Sequence, residues 1–144
     1  MSRSDLAKVV AESHDAVDAF VKGDPEPLKE LYSQRDDVTI ANPFGPPSRG
    51  WANAAETMDR AATNFREGEA IGFERISDYA TADLAYIVGI EQFRSKLGGA
   101  DSITGFSLRV TTVFRREAED WKIVHRHADP ITTSRSTESL SSGG

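Results

Sequence analysis

A chain of 144 residues, 38% hydrophobic and 28% charged, has the size and balance of one globular domain able to bury a core. Its formal net charge of −6 argues against nucleic acid as a partner, because phosphate binding needs a basic footprint. The absence of cysteine excludes disulfides and thiolate metal sites. No apolar run is long enough to cross a membrane as a helix, and the first residues lack the apolar core of an export signal, so a cytoplasmic location is expected.

Ser4 is the expected N-cap of a first helix, with Asp5 in its first turn. Leu6, Val9, Val10, Ala16, Val17, Ala19 and Phe20 recur at helical spacing. Gly23 ends this helix, and Asp24-Pro25 starts a short second one whose buried stripe is Leu28, Leu31 and Tyr32. A short strand follows over 37–42. Residues 43–50 hold three prolines and two glycines and are expected to form a loop. A third helix is expected over 51–65. From Gly72 the period changes to two, which gives strands over 73–81, 84–96, 104–116 and 121–131. The Ser/Thr/Gly-rich segment 132–144 reads as a disordered tail, leaving one domain over 1–131.

Helices first and strands later imply an α+β domain, a curved antiparallel sheet with the N-terminal helices packed on its concave face. The hollow between the layers is a natural small-molecule pocket.

Three stretches carry a family resemblance over residues 4–131: Gly23-Asp24 followed by Leu31-Tyr32; the run from Asp37 through Asn42-Pro43-Phe44-Gly45 to Arg49-Gly50; and Trp121-Lys122-Ile123-Val124-His125-Arg126-His127. In their order and spacing the chain resembles the nuclear transport factor 2-like superfamily, also called SnoaL-like or ketosteroid isomerase-like. The resemblance implies a cone-shaped domain and a homodimer formed through the sheet. It does not imply isomerase chemistry, because function resides in the site and not in the fold. Asn42 occupies the place of the isomerase base, and an amide offers only hydrogen bonds. Ala16 stands where the isomerases have their oxyanion tyrosine, and no acid falls near residues 111–113.

The closing hairpin concentrates the remaining chemistry. His125 and His127, two apart on a strand, share a face and are the candidate general acid–base pair. A His-x-His pair can also chelate a metal, but the sequence positions no third ligand, so neither metal nor cofactor is expected. Trp121 and Ile123 fall on the same face by alternation, which favours packing of that face. With a turn over 117–120, Arg116 opposes Trp121, and the other face gathers Arg109, Thr111 and Arg126. A mid-sheet arginine needs a partner such as Glu91 or a ligand, and its forked donors suit a carboxylate.

The leading expectation is therefore a homodimer whose cone binds a small organic molecule, an anion included, through Asn42, Arg109, Thr111 and Arg126. The alternatives are a lyase, isomerase or hydrolase using His125 or His127, and a non-catalytic assembly module. The expected partners are a second copy and a small molecule, with no nucleic acid and no membrane.

Overall fold

A computed structural model describes residues 3–141. The elements run α1 (Arg3–Phe20), α2 (Glu26–Leu31), β1 (Thr39–Ala41), β2 (Ser48–Arg49), α3 (Trp51–Ala62), β3 (Phe65–Ala80), β4 (Leu84–Leu97), β5 (Ile103–Glu117), β6 (Asp120–Asp129) and α4 (Glu138–Ser141). The six strands form one curved sheet in the order β2-β1-β6-β5-β4-β3, antiparallel except where β1 runs parallel to β6. The N-terminal helices cover its inner face, as the α+β reading expects.

α1 places Val9, Val10, Ala16 and Val17 in the core, so its apolar stripe is what holds it to the sheet. α1 already begins at Arg3, one residue before the expected cap position. Gly23 has φ +97, the left-handed position that ends α1. Pro25 already has helical dihedrals, and the Asp24 side chain accepts the Glu26 N–H at 3.1 Å, so this pair starts α2 as expected. Tyr32, fully buried, donates its hydroxyl to the Thr39 carbonyl at 3.1 Å and so ties the end of α2 to β1.

Two expectations fail for one physical reason. α3 ends at Ala62, not at residue 65, and β3 begins at Phe65 instead of residue 73. Register shifts fall between Arg66 and Glu69, between Ala70 and Gly72, and between Arg75 and Ser77, and each breaks the period of two that marks a strand. Glu67 takes φ +53 at the first of them. The Ala70 N–H is taken up at 2.8 Å by the Asp18 carboxylate on α1. Gly68 donates its N–H to the Val21 carbonyl, and a Cβ there would collide with that carbonyl and with Ser95, so β3 can pass under the end of α1 only at a glycine.

The loop over 43–50 also differs, since Ser48–Arg49 pairs with β1 as a two-residue edge strand. Residues 132–141 are exposed throughout and contain only the single-turn α4; the last three residues of the expected tail lie outside the described residues.

Candidate functional site

The β5–β6 hairpin decides which side chains meet. Its turn has the expected register, with Arg116 opposite Trp121 and Phe114 opposite Ile123. A bulge then intervenes, so that Val113 opposes His125, Thr112 opposes Arg126, Thr111 opposes His127, and Arg109 opposes Asp129. The extra residue, Val124, reverses the faces of everything after it. Trp121, Ile123, Arg126 and Ala128 all become buried, while His127 is exposed.

Two sequence expectations are corrected by this bulge. The histidines do not share a face with Trp121 and Ile123, and the cluster of Arg109, Thr111 and Arg126 does not form. Arg126 belongs to the inner face with Thr112. Arg109, Thr111, His125 and His127 belong to the outer face with Tyr86 and Val88.

On the outer face, Arg109 donates from Nε to Asp129 at 2.7 Å, and His127 Nε2 lies 3.2 Å from the other oxygen of the same carboxylate. Burial raises the Asp129 pKa, but Arg109, the Ile131 N–H and His127 outweigh it and hold the carboxyl below its ordinary range. His125 Nδ1 and the Thr39 hydroxyl are 2.7 Å apart. The pKa of His125 is lowered, first by burial and then by the neighbouring His127. The internal-pair alternative is met here, with Asp129 as the partner of Arg109 in place of Glu91. Among the described residues no group of three histidine or acidic side chains is arranged to hold a metal.

On the inner face, Arg126 reaches across β5 to Glu91 on β4. Its two terminal nitrogens donate to the two carboxylate oxygens at 3.1 and 2.6 Å. Burial works against the Arg126 charge, but Glu91 outweighs it and holds the guanidinium firmly protonated. Burial also pushes the Tyr32 hydroxyl up from its ordinary value, with Arg126 opposing that shift.

This ion pair stands between two hollows. Arg126 borders an aromatic cup below the C-terminal half of α1, which is also lined by Val17, Phe20 and Ala61. Phe65 and Phe106 stack at 5.8 Å, and Phe93 and Phe106 at 5.4 Å, so rings fill most of the cup and leave a cavity of about 50 Å³. Phe44, on the proline-rich loop, is 53% exposed and packs edge-on to Phe65, closing the mouth. Asn42 also lines the cup. Its side-chain oxygen accepts the Phe44 N–H at 2.9 Å, a turn-forming bond that leaves the amide NH₂ as the group able to serve a ligand.

Of the expected binding residues, the structure thus places Asn42 and Arg126 at the cup and Arg109 and Thr111 on the opposite side of the sheet. It also brings in two residues that the sequence reading left aside. Glu91 was considered only as a possible partner for an arginine, although it alternates along β4 with the inward Phe93. The sequence places His14 on an exposed or half-buried helix face, and the structure makes it half-buried, on the stripe of Val10, Val17 and Val21 at spacings of four, three and seven.

Comparison with known proteins agrees with the architecture. The family model for the SnoaL-like domain matches residues 9–132. No curated protein matches the chain. Among solved structures, a nuclear transport factor 2-like superfamily protein from Salmonella enterica superposes with a TM-score of 0.75 at 17% identity, covering 95% of this chain and 99% of that one. A ketosteroid isomerase-like protein from Erwinia carotovora gives 0.71 at 17% identity, covering 90% and 98%. A domain of unknown function with a cystatin-like fold from Nostoc punctiforme gives 0.66 at 15% identity, covering 97% and 83%. At these identities the likeness speaks for the fold alone. With the family model spanning nearly the whole folded region, the chain belongs to the SnoaL-like domain family, within the nuclear transport factor 2-like fold.

Proposed function

We propose that the protein binds a compact, mostly apolar organic molecule bearing a carbonyl oxygen, held in the aromatic cup beneath α1. The observation that carries this reading is the convergence of the Asn42 amide and the Arg126 guanidinium on an otherwise apolar hollow. Both present N–H donors, so the matching ligand group is an acceptor. Because Glu91 already balances the charge of Arg126, a carboxylate gains little from the cup and a neutral carbonyl suffices. Entry requires the Phe44 loop to swing out, since the cavity of about 50 Å³ is smaller than most organic ligands. Neither His125 nor His127 faces the cup, so the reading is one of binding and not of acid–base catalysis by that pair.

Calorimetric titration with cyclohexanone and acetophenone, set against benzoate, tests it. The ketones should bind saturably and more tightly than benzoate. An Asn42→Ala variant should weaken them about fivefold, the worth of one hydrogen bond of roughly 1 kcal/mol. Failure of both ketones to bind, or tighter binding of benzoate, would sink the reading.

The outer face supports a second, compatible proposal, self-association through the sheet. Tyr79 pairs across with Tyr86, their rings 6.2 Å apart, and both are exposed beside Val88 and Val113. A second copy would cover this apolar strip. Sedimentation should give a dimer for the natural sequence and a monomer for Tyr86→Glu. A natural chain that sediments as a monomer at tens of micromolar contradicts this.

A further inference from the structure

Beyond the cup, a second hollow lies under the middle of α1, between His14 and strands β3, β4 and β5. Its volume is about 150 Å³, room for on the order of ten water-sized groups. Its lining mixes polar and apolar side chains where the cup's is almost wholly apolar. Glu91, Thr112 and His14 line it together with Phe73, Ile90 and Val110.

Three features show that these groups are arranged for something other than packing. His14 is half-buried and stacks flat on Phe73, with ring centres 3.8 Å apart, but neither ring nitrogen hydrogen-bonds another described residue. Thr112 is only 7% exposed, and its hydroxyl also lacks a protein partner among the described residues. Trp121 Nε1 is the one buried side-chain polar atom without a partner among the described residues, so the Thr112 hydroxyl and the His14 nitrogens open onto solvent, whose place a ligand hydroxyl can take. Glu91, finally, is held rigidly by both nitrogens of Arg126 while its remaining lone pairs stay available for donors from the hollow.

We propose that this hollow is a second binding site, distinct from the aromatic cup, for a small neutral hydroxylated molecule of polyol type. The chemistry follows from donor and acceptor matching. Glu91 can only accept, so it calls for a ligand hydroxyl. Thr112 can donate or accept. Burial lowers the His14 pKa, with Arg75 and Arg126 adding to the effect and Glu91 and Asp15 opposing it, so near neutral pH the ring offers one donor and one acceptor. A polyol satisfies all three groups. An anion would face the Glu91 carboxylate, and Arg75, the one cation lining the hollow among the described residues, already pairs with Asp78. The Phe73 ring beneath His14 fixes the imidazole plane, so its nitrogens are set before the ligand arrives.

The cup and this hollow thus make opposite demands across one ion pair, an acceptor-bearing ligand on the Arg126 side and a donor-bearing one on the Glu91 side. Nitrogen-detected NMR of the His14 ring in the full-length protein reads the second site directly. At pH 7.5, erythritol should shift the His14 ring nitrogens saturably in the millimolar range, and lactate should not. His14→Phe, followed through the Phe73 and Val110 methyl and ring signals, and Thr112→Val, followed through His14, should each weaken erythritol at least fivefold. Circular dichroism and the unfolding midpoint verify that both variants remain folded. The absence of a saturable shift with erythritol overturns the proposal. So does lactate binding as tightly as erythritol, or folded variants that keep wild-type affinity.

Discussion

The inner and outer faces of the β5–β6 sheet region each carry an arginine–carboxylate pair, and the two pairs do different physical work. On the inner face, Arg126 and Glu91 meet in a two-pronged contact with both side chains almost wholly covered. On the outer face, Arg109 meets Asp129 through one nitrogen, with its own side chain 53% exposed. Water screens the outer pair and leaves it near neutral in stability, while the inner pair is a commitment of the fold, because either partner alone would be a buried, uncompensated charge. The charges of the inner pair are therefore fixed by structure, whereas the outer pair stands open to water.

The largest expected effect tests this contrast head-on. Arg126→Met should cost about 3–5 kcal/mol of stability, the usual result of stranding one buried charge. Adding Glu91→Leu should recover most of that loss, because the stranded carboxylate then disappears. Arg109→Met, the same change on the outer face, should cost less than about 1 kcal/mol. Urea unfolding of the four proteins measures all of this. Equal losses for the two single variants would show that the two faces do not differ as described.

The same contrast explains what could be read from the sequence. The helix caps at Gly23 and Asp24-Pro25, the strands β4, β5 and β6, and the order of layers follow from local chemistry: turn residues, prolines and apolar periodicity act over a few neighbours. Even the Arg116–Trp121 register came from the turn alone. What local patterns could not reveal is the bulge at Val124. A bulge adds one residue without any mark in composition, and Val124 simply follows the equally apolar Ile123. The face assignment of His125, Arg126 and His127 depends on it entirely. The bulges of β3 hid the first half of that strand in the same way. The ion pair needed a different kind of information, since Arg126 and Glu91 are 35 residues apart and lie on strands that are not neighbours. His14 was within reach, because its place on the stripe of Val10 and Val17 already pointed inward.

The smallest expected effect concerns the histidines and sharpens the contrast by pH. Burial lowers the pKa of both His14 on the inner side and His125 on the outer side, but their second influences differ: Glu91 raises His14, whereas His127 further lowers His125. A histidine whose folded pKa is depressed takes up its proton more readily when unfolded. Each therefore contributes stability that is present above the unfolded value of about 6.5 and is lost as pH falls from there through the folded value. Replacing His127 with glutamine removes the neighbouring charge, so His125 should titrate at higher pH while His14 stays where it is. Proton NMR of the ring signals between pH 4 and 8 follows both at once. If His14 moved as far as His125, the two faces would be electrostatically coupled through the sheet, and the inner ion pair would not isolate the cone from the charges outside it.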